Sequence, residues 1–135
     1  MRSVLIALAT LLLPFAAQAQ DPEINCEDAQ TQMEMTYCAE QDFVEADELL
    51  NAQYKLSRQA TKAADADAMA DLRGADAALV AAQRAWVAFR DAHCASYGYQ
   101  ARGGSMEPML IYACQADLTR QRTEQLKELT DLTDN

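Results

Sequence analysis

The sequence predicts an all-α fold, a small antiparallel helical bundle cross-linked by two disulfides. Three observations lead to this prediction. Apolar residues recur at helical spacing in three long segments, no segment alternates like a half-buried strand, and four cysteines follow an N-terminal export signal. The chain divides into a signal peptide (1–19), an irregular leader (20–30) and one helical domain (31–135), which is long enough to bury one modest core.

The first 19 residues have the three parts of a cleavable secretory signal. The start is basic at Arg2, an apolar run extends from Val4 to Ala17, and a small-x-small pattern ends at Ala19. The apolar run is shorter than the roughly 20 residues that a membrane span needs. We therefore expect cleavage after Ala19, a periplasmic or secreted protein, and no membrane span after cleavage.

The mature chain is expected to be strongly acidic. Cleavage removes Arg2 and leaves ten Lys and Arg against 21 Asp and Glu, a formal charge of −11. This charge argues against nucleic acid and anionic membranes as partners and favours cationic proteins. Solubility alone would also account for the composition, so the charge restricts the class of partner without identifying one.

A capping pattern and apolar spacing predict the first helices. Thr31 and Glu34 match a capping box, which predicts a short helix from Thr31 to about Cys38. A longer helix should run from about Gln41 to Ala64, because no Gly or Pro interrupts it. Its periodic positions are Phe43, Ala46, Leu49, Leu50, Gln53, Tyr54 and Leu56.

Residues 65–76 are rich in Ala and Asp, contain Gly74, and are predicted to connect two helices. From Ala75 the pattern predicts a helix of about 20 residues with one apolar stripe. That predicted stripe consists of Leu72, Ala75, Leu79, Ala82, Trp86, Phe89 and His93.

Three glycines in residues 97–106 predict a turn before the last helix. Ser105 is a suitable N-cap for that helix, and Pro108 is tolerated in its first turn. The helix should end near Leu132. Its apolar positions are Leu110, Cys114, Leu118, Leu126 and Leu129.

Four cysteines allow three disulfide pairings. Helices joined at the glycine turn would bring Cys94 and Cys114 together, and the leader can fold back to bring Cys26 to Cys38. This geometry favours Cys26–Cys38 and Cys94–Cys114, but all four cysteines would lie near one end of the bundle, so crossed pairings stay open. Export to an oxidising compartment argues against a metal site of Cys and His, and no metal or cofactor is expected.

The residues give little support to catalysis. His93 is the sole histidine, and it lies two positions from Asp91, so the two do not face each other on a helix. A Cys94 held in a disulfide is not a nucleophile. We expect His93 to be packed at the end of the apolar stripe, and we expect no enzyme. A hydrolase using His93 is the enzymatic alternative.

Two polar pairs are expected to fix the register of the helices. Asp47 shares a helix face with Phe43 and Tyr54, and Arg90 lies beside Trp86 and Phe89, so an Asp47–Arg90 ion pair could join two helices. Arg84 and Glu124 form a second candidate pair.

Spaced motifs run along nearly the whole mature chain. They are Cys26-x(11)-Cys38, Asp47-x-x-Leu50-Asn51-x-x-Tyr54, Ala82-Gln83-Arg84-x-Trp86-x-x-Phe89-Arg90-Asp91-x-x-Cys94, Gly103-Gly104-Ser105-Met106, Cys114, and Leu118-Thr119-x-x-Arg122. With this pattern, about residues 24–130 resemble the lysozyme inhibitor LprI-like N-terminal domain, a bacterial family of small exported α-helical domains. The block that begins at Ala82 is the most specific part of the resemblance.

The resemblance implies lysozyme as a partner and inhibition as the activity, although most members resemble the namesake by domain only. The namesake is a lipoprotein, whereas this chain has no cysteine at the cleavage site and should be soluble. A loop with aromatic and cationic residues could enter a lysozyme cleft, which holds acidic residues. Its residues would be Tyr97, Tyr99, Arg102, Gly103 and Gly104. The alternatives are a plain helix–helix turn at this position, and an envelope structural or interaction module that binds another cationic or cell-wall partner.

Overall fold

The structure, a computed structural model, describes residues 24–133. It contains three long helices, α1 (Gln32–Asp67), α2 (Ala75–Gly98) and α3 (Glu107–Thr133), with short 3-10 turns at Cys26–Asp28, Ala70–Leu72 and Tyr99–Ala101. These residues include no β-strand, so the all-α prediction is confirmed. The predicted signal peptide and its cleavage site lie outside the described residues.

The helices run up, down and up. Each helix is antiparallel to the next in sequence, so α1 and α3 are parallel neighbours. Gln32 contacts Met109 near the start of both helices, and Gln53 bonds Thr130 near the other end of α3. Among residues 24–133, no helix is both long and apolar enough to cross a bilayer.

Both predicted disulfides are confirmed. Cys26 is bonded to Cys38 and Cys94 to Cys114, with a Cα–Cα distance of 5.5 Å in each. The up-down-up topology brings the starts of α1 and α3 to the end of α2, so both bridges lie at one end of the bundle. We call this the disulfide end.

The predicted break between two N-terminal helices is wrong, because α1 continues without interruption. Its start is as predicted: Thr31 Oγ1 accepts a hydrogen bond from the Glu34 amide, and Glu34 accepts from the Thr31 amide at 2.8 Å. The residues between Cys38 and Gln41 are Ala and Glu, both good helix formers, so nothing stops the helix there. Within the described part of the leader, residues 24–30 fold back to form the Cys26–Cys38 bridge.

The predicted apolar stripe of α2 is partly wrong. Leu72 and Phe89 are 65% and 54% exposed, and His93 is also exposed. Hydrophobic periodicity missed the true inner face because two of its members, Gln83 and Arg90, are polar residues with hydrogen-bond partners on other helices. The buried residues of α2 are Leu79, Gln83, Arg90, Cys94 and Gly98.

The core is small. Leu50, Leu79 and Leu126, one from each helix, form its centre, and Tyr54, Trp86 and Leu129 pack around them. Buried hydroxyls complete the interior and are all hydrogen-bonded; Ser57, for example, donates to the Leu126 carbonyl at 3.0 Å. Polar side chains are tolerated inside a core when they are bonded in this way.

Asp65 closes the connection between α1 and α2. Its carboxylate accepts hydrogen bonds from the backbone amides of Gly74, Ala75 and Asp76 at 2.8 to 3.1 Å. These are amides at the start of α2 that have no partner within the helix. Gly74 precedes the helix with φ of 142°, a conformation that favours glycine. A side chain of α1 therefore caps α2.

Candidate functional site

The loop that we predicted as a partner-binding site lies at the disulfide end and exposes aromatic and cationic side chains. In the loop over residues 97–105, Tyr97 is 46% exposed, Tyr99 is 62% exposed, and the Arg102 side chain is 63% exposed. Tyr, Trp and Arg are the residue types that most often dominate protein–protein binding energy. The structure thus brings together the aromatic and cationic residues that the sequence suggested for partner binding.

The loop has a defined backbone. A 3-10 turn at Tyr99–Ala101 is followed by Gly103 in the left-handed region, with φ of 76°. The Gly104 amide then donates to the Ala101 carbonyl at 2.8 Å. The helix α3 begins at Glu107, so Ser105 does not take the N-cap position that we predicted. Pro108 lies in the first turn, as expected.

Glu107 holds the loop in place. One carboxylate oxygen accepts from Arg102 Nη1 at 2.6 Å, and the other accepts from the Gly103 amide at 2.8 Å. The Gly103 amide, with help from Arg102, holds the pKa of Glu107 below its usual value. The guanidinium of Arg102 also lies 4.7 Å from the Tyr99 ring centroid. Glu107 was not predicted from the sequence, although an acid in the first turn of a helix beside a glycine-rich loop was a usable signal.

The base of the loop is tightly packed. Cys94 is fully buried, and its bridge to Cys114 ties α2 to α3 directly beneath the loop. Gly98 is buried in the last turn of α2, where a Cβ atom would lie 2.6 Å from Ile111 Cγ1. Glycine is therefore required here for close helix approach, a role that sequence analysis did not assign to it. A partner that binds this loop would therefore have to order little of the loop backbone.

Arg90 lies deeper in the bundle, where all three helices meet. It is 7% exposed, and its Nη1 donates to Asp47 at 2.9 Å, which is the predicted interhelical pair. Its Nε donates to Asp91 at 2.9 Å, and Thr119 lies 3.4 Å from Nη1. The sequence did not indicate Asp91 or Thr119 as partners.

Two rings complete the surroundings of Arg90. The guanidinium lies 4.9 Å from the Phe43 ring centroid and 5.2 Å from that of Trp86, within cation–π range. Carboxylates and aromatic rings together thus stabilise the charge of the buried guanidinium. The arrangement fixes the register of α1, α2 and α3 and leaves Arg90 little accessible to a ligand.

Other predicted polar features are not formed. Glu124 pairs with Lys127 at 2.6 Å rather than with Arg84, which lies on the α1–α2 side near Tyr54 and Arg58. The prediction failed because Arg84 and Glu124 face different grooves of the bundle.

No catalytic arrangement is evident in the described part of the chain. His93 is exposed rather than packed, and it stacks on Phe89 at 5.3 Å. The Asp91 carboxylate is bound to Arg90, and Cys94 is in a disulfide. Within residues 24–133, no three His, Cys, Asp or Glu side chains are grouped to hold a metal ion.

Comparisons with known proteins agree with the motifs. A family model described as lysozyme inhibitor LprI matches residues 24–126, which include both disulfides, the Arg90 cluster and the loop. An uncharacterised protein of Rhizobium meliloti (strain 1021) is 48% identical over 139 aligned residues that cover 100% of both chains. No solved structure matches the chain. Since the family model covers well over half of the sequence, the chain belongs to the lysozyme inhibitor LprI family.

Proposed function

We propose that this protein is exported and inhibits lysozyme by binding it through the disulfide end. The observation that carries the proposal is the family match over residues 24–126, since the family is described by lysozyme inhibition. Two disulfides, formed among the four cysteines of the chain, fit an oxidising compartment outside the cytoplasm.

The exposed loop supplies a chemical means of inhibition. Lysozymes cleave sugar polymers with acidic residues in a cleft. Arg102 presents a guanidinium next to the exposed ring of Tyr99, and Glu107 already holds that guanidinium in position. A cation on a fixed loop can reach cleft carboxylates with little loss of conformational freedom.

The overall charge supports association with a basic enzyme. The formal charge of the full chain is −10. Complementary charge raises association rates, most strongly at low salt. The acidic surface would therefore speed the encounter, and the loop would provide the specific contact.

Substitution of Arg102 tests the loop. We expect Arg102→Ala to weaken inhibition about 30-fold, the size of a 2 kcal/mol hot spot, in an assay of cell-wall lysis. Arg84→Ala is the matched control, because it removes an equally charged, exposed arginine far from the loop. Equal inhibition by the wild type and Arg102→Ala would refute binding through this loop.

A further inference from the structure

An open groove lies between α1 and α3, on the side where neither helix contacts α2. It has a volume of about 570 Å³, and no residue of α2 lines it. The α1 wall is apolar except for Gln53, whereas the α3 wall is polar and includes Arg120 and Lys127. The apolar residues of the α1 wall are Ala46, Leu49, Ala52 and Leu56. Leu49 and Leu56 remain 58% and 53% exposed.

The apolar wall has the spacing of a coiled-coil face. Leu49 and Leu56 are seven residues apart, and Ala52 lies three residues after Leu49, which corresponds to positions a, a and d of a heptad. This face is separate from the inner face of α1 that includes Leu50 and Ser57. The helix thus offers a second face suited to another helix, and Ala52 allows close approach.

The charges beside this face are self-complementary. Glu48 and Lys55 occupy the flanking g positions, both are exposed, and neither forms an ion pair with another residue of the range 24–133. If two copies pack with α1 helices antiparallel, Leu49 of one copy lies against Ala52 of the other. In that register Glu48 faces Lys55 of the second copy, and the symmetry produces this pair twice.

A parallel arrangement has no such complementarity. Glu48 would then face Gln53 and Lys55 would face Ala60, so no opposite charges would meet. We infer that the groove binds a second copy of this chain, forming a two-fold dimer with antiparallel α1 helices. A contact made largely by one helix face is smaller than the roughly 800 Å² per partner of a standard interface, so we expect micromolar affinity.

The dimer would leave both candidate binding loops free. In the antiparallel register, the disulfide end of one copy lies toward the α1–α2 connector of the other. The two loops over residues 97–105 would therefore point in opposite directions, and the dimer would be bivalent. This inference does not depend on lysozyme being the partner.

Charge reversal tests the register directly. In sedimentation equilibrium we expect Glu48→Lys and Lys55→Glu each to raise the dimer dissociation constant at least about ten-fold, because each change converts two attractive contacts into two repulsive ones. The double variant with both changes should restore the wild-type affinity. These residues are exposed, and circular dichroism would verify that each variant is folded.

An apolar variant and its control test the groove itself. Leu49→Gln should abolish the dimer, whereas Leu72→Gln, an equally drastic change at an exposed site of the connector, should leave it intact. A wild-type protein that stays monomeric at millimolar concentration would overturn the inference. So would a dimer that survives both Leu49→Gln and the single charge reversals.

Discussion

Arg90 connects the three helices at the scale of single residues. Its guanidinium bonds a carboxylate of α1, a carboxylate of α2 and a hydroxyl of α3, and two rings lie within 5.2 Å of it. A charge that is 7% exposed is stable only with such partners. The family motif that includes Arg90 is thus explained by packing between helices.

Replacement of Arg90 should destabilise the fold. We expect Arg90→Met to lower the free energy of unfolding by about 2 kcal/mol, because Asp47 and Thr119 would lose a charged partner in a partly buried position. Urea denaturation measures the change, and Arg84→Met, at an exposed arginine, should cost less than about 0.5 kcal/mol. Equal stability of the two variants would show that the Arg90 cluster is not a structural centre.

Part of the cluster around Arg90 could be predicted from the sequence. The pairing of Asp47 with Arg90 followed from helix faces, because both residues lie beside apolar positions of their helices. Asp91 and Thr119 could not be inferred, since the first is adjacent in sequence and the second depends on how α3 is rotated. Glu107 was missed because its effect depends on the folded path of the loop.

Side-chain caps connect the elements. Asp65 of α1 accepts hydrogen bonds from three backbone amides at the start of α2. Glu34 caps the start of α1 by accepting a hydrogen bond from the Thr31 amide. The amides of Gly74, Asp76 and Ala75 hold the pKa of Asp65 below its usual value. The pKa of Glu34 is likewise lowered by the amides of Thr31 and Gln30.

These caps predict loss of stability in acid. A carboxyl group whose pKa is lower in the folded state stabilises the protein above its unfolded pKa, and this contribution disappears as the pH falls through the folded pKa. The melting temperature should therefore decrease below about pH 5. Asp65→Asn should melt lower than wild type at pH 7, and the difference should shrink below about pH 4.

The matched control for the Asp65 variant is Asp71→Asn. Asp71 lies exposed in the same connector and forms no side-chain hydrogen bond that the structure describes there. Its replacement should leave the melting curve nearly unchanged from pH 7 to acid. An Asp65→Asn curve that stays parallel to wild type at every pH would contradict the capping role of the Asp65 charge.

The boundaries of the elements show where periodicity succeeds and fails. The turns at Gly74 and at residues 97–106 were predicted, because glycine marks them in the sequence. The break near Cys38 was wrong, because the residues between Cys38 and Gln41 favour a helix and α1 continues through them. The inner face of α2 was misplaced because Gln83 and Arg90 are buried through hydrogen bonds, which a hydrophobic pattern does not register.

At the scale of the whole molecule, a three-helix domain with a small core depends on its cross-links. The bridges join residues 12 and 20 positions apart, and each is worth about 3 kcal/mol by loop entropy alone. Cys94 is fully buried between α2 and α3, whereas Cys26 lies exposed in the leader. The two bridges should therefore differ in what their removal costs.

Removal of the buried bridge should be the more damaging change. We expect Cys94→Ala with Cys114→Ala to lower the free energy of unfolding by about 3 kcal/mol or more, since a buried contact is lost in addition to the loop constraint. Cys26→Ala with Cys38→Ala should cost less in the same urea titration. The opposite order would show that the leader, rather than the base of the loop, secures the disulfide end.

The fold was largely readable from the sequence at this scale. Helical spacing, glycine positions and cysteine geometry together predicted the all-α bundle and the correct pairing of cysteines. The dimer groove was not predicted, because it becomes visible only when α2 is known to cover the other side of α1 and α3. Lysozyme as the proposed partner cannot be inferred from any single residue, and the proposal rests on the family relationship.

The most direct measurement is lysozyme inhibition by the oxidised mature protein, residues 20–135. It should be assayed against chicken-type, goose-type and invertebrate-type enzymes at low and moderate salt. We predict potent inhibition of at least one class, weakened by salt because complementary charge drives the encounter. A folded and fully oxidised protein that inhibits none of the three would contradict the proposed function and indicate an envelope module with a different partner.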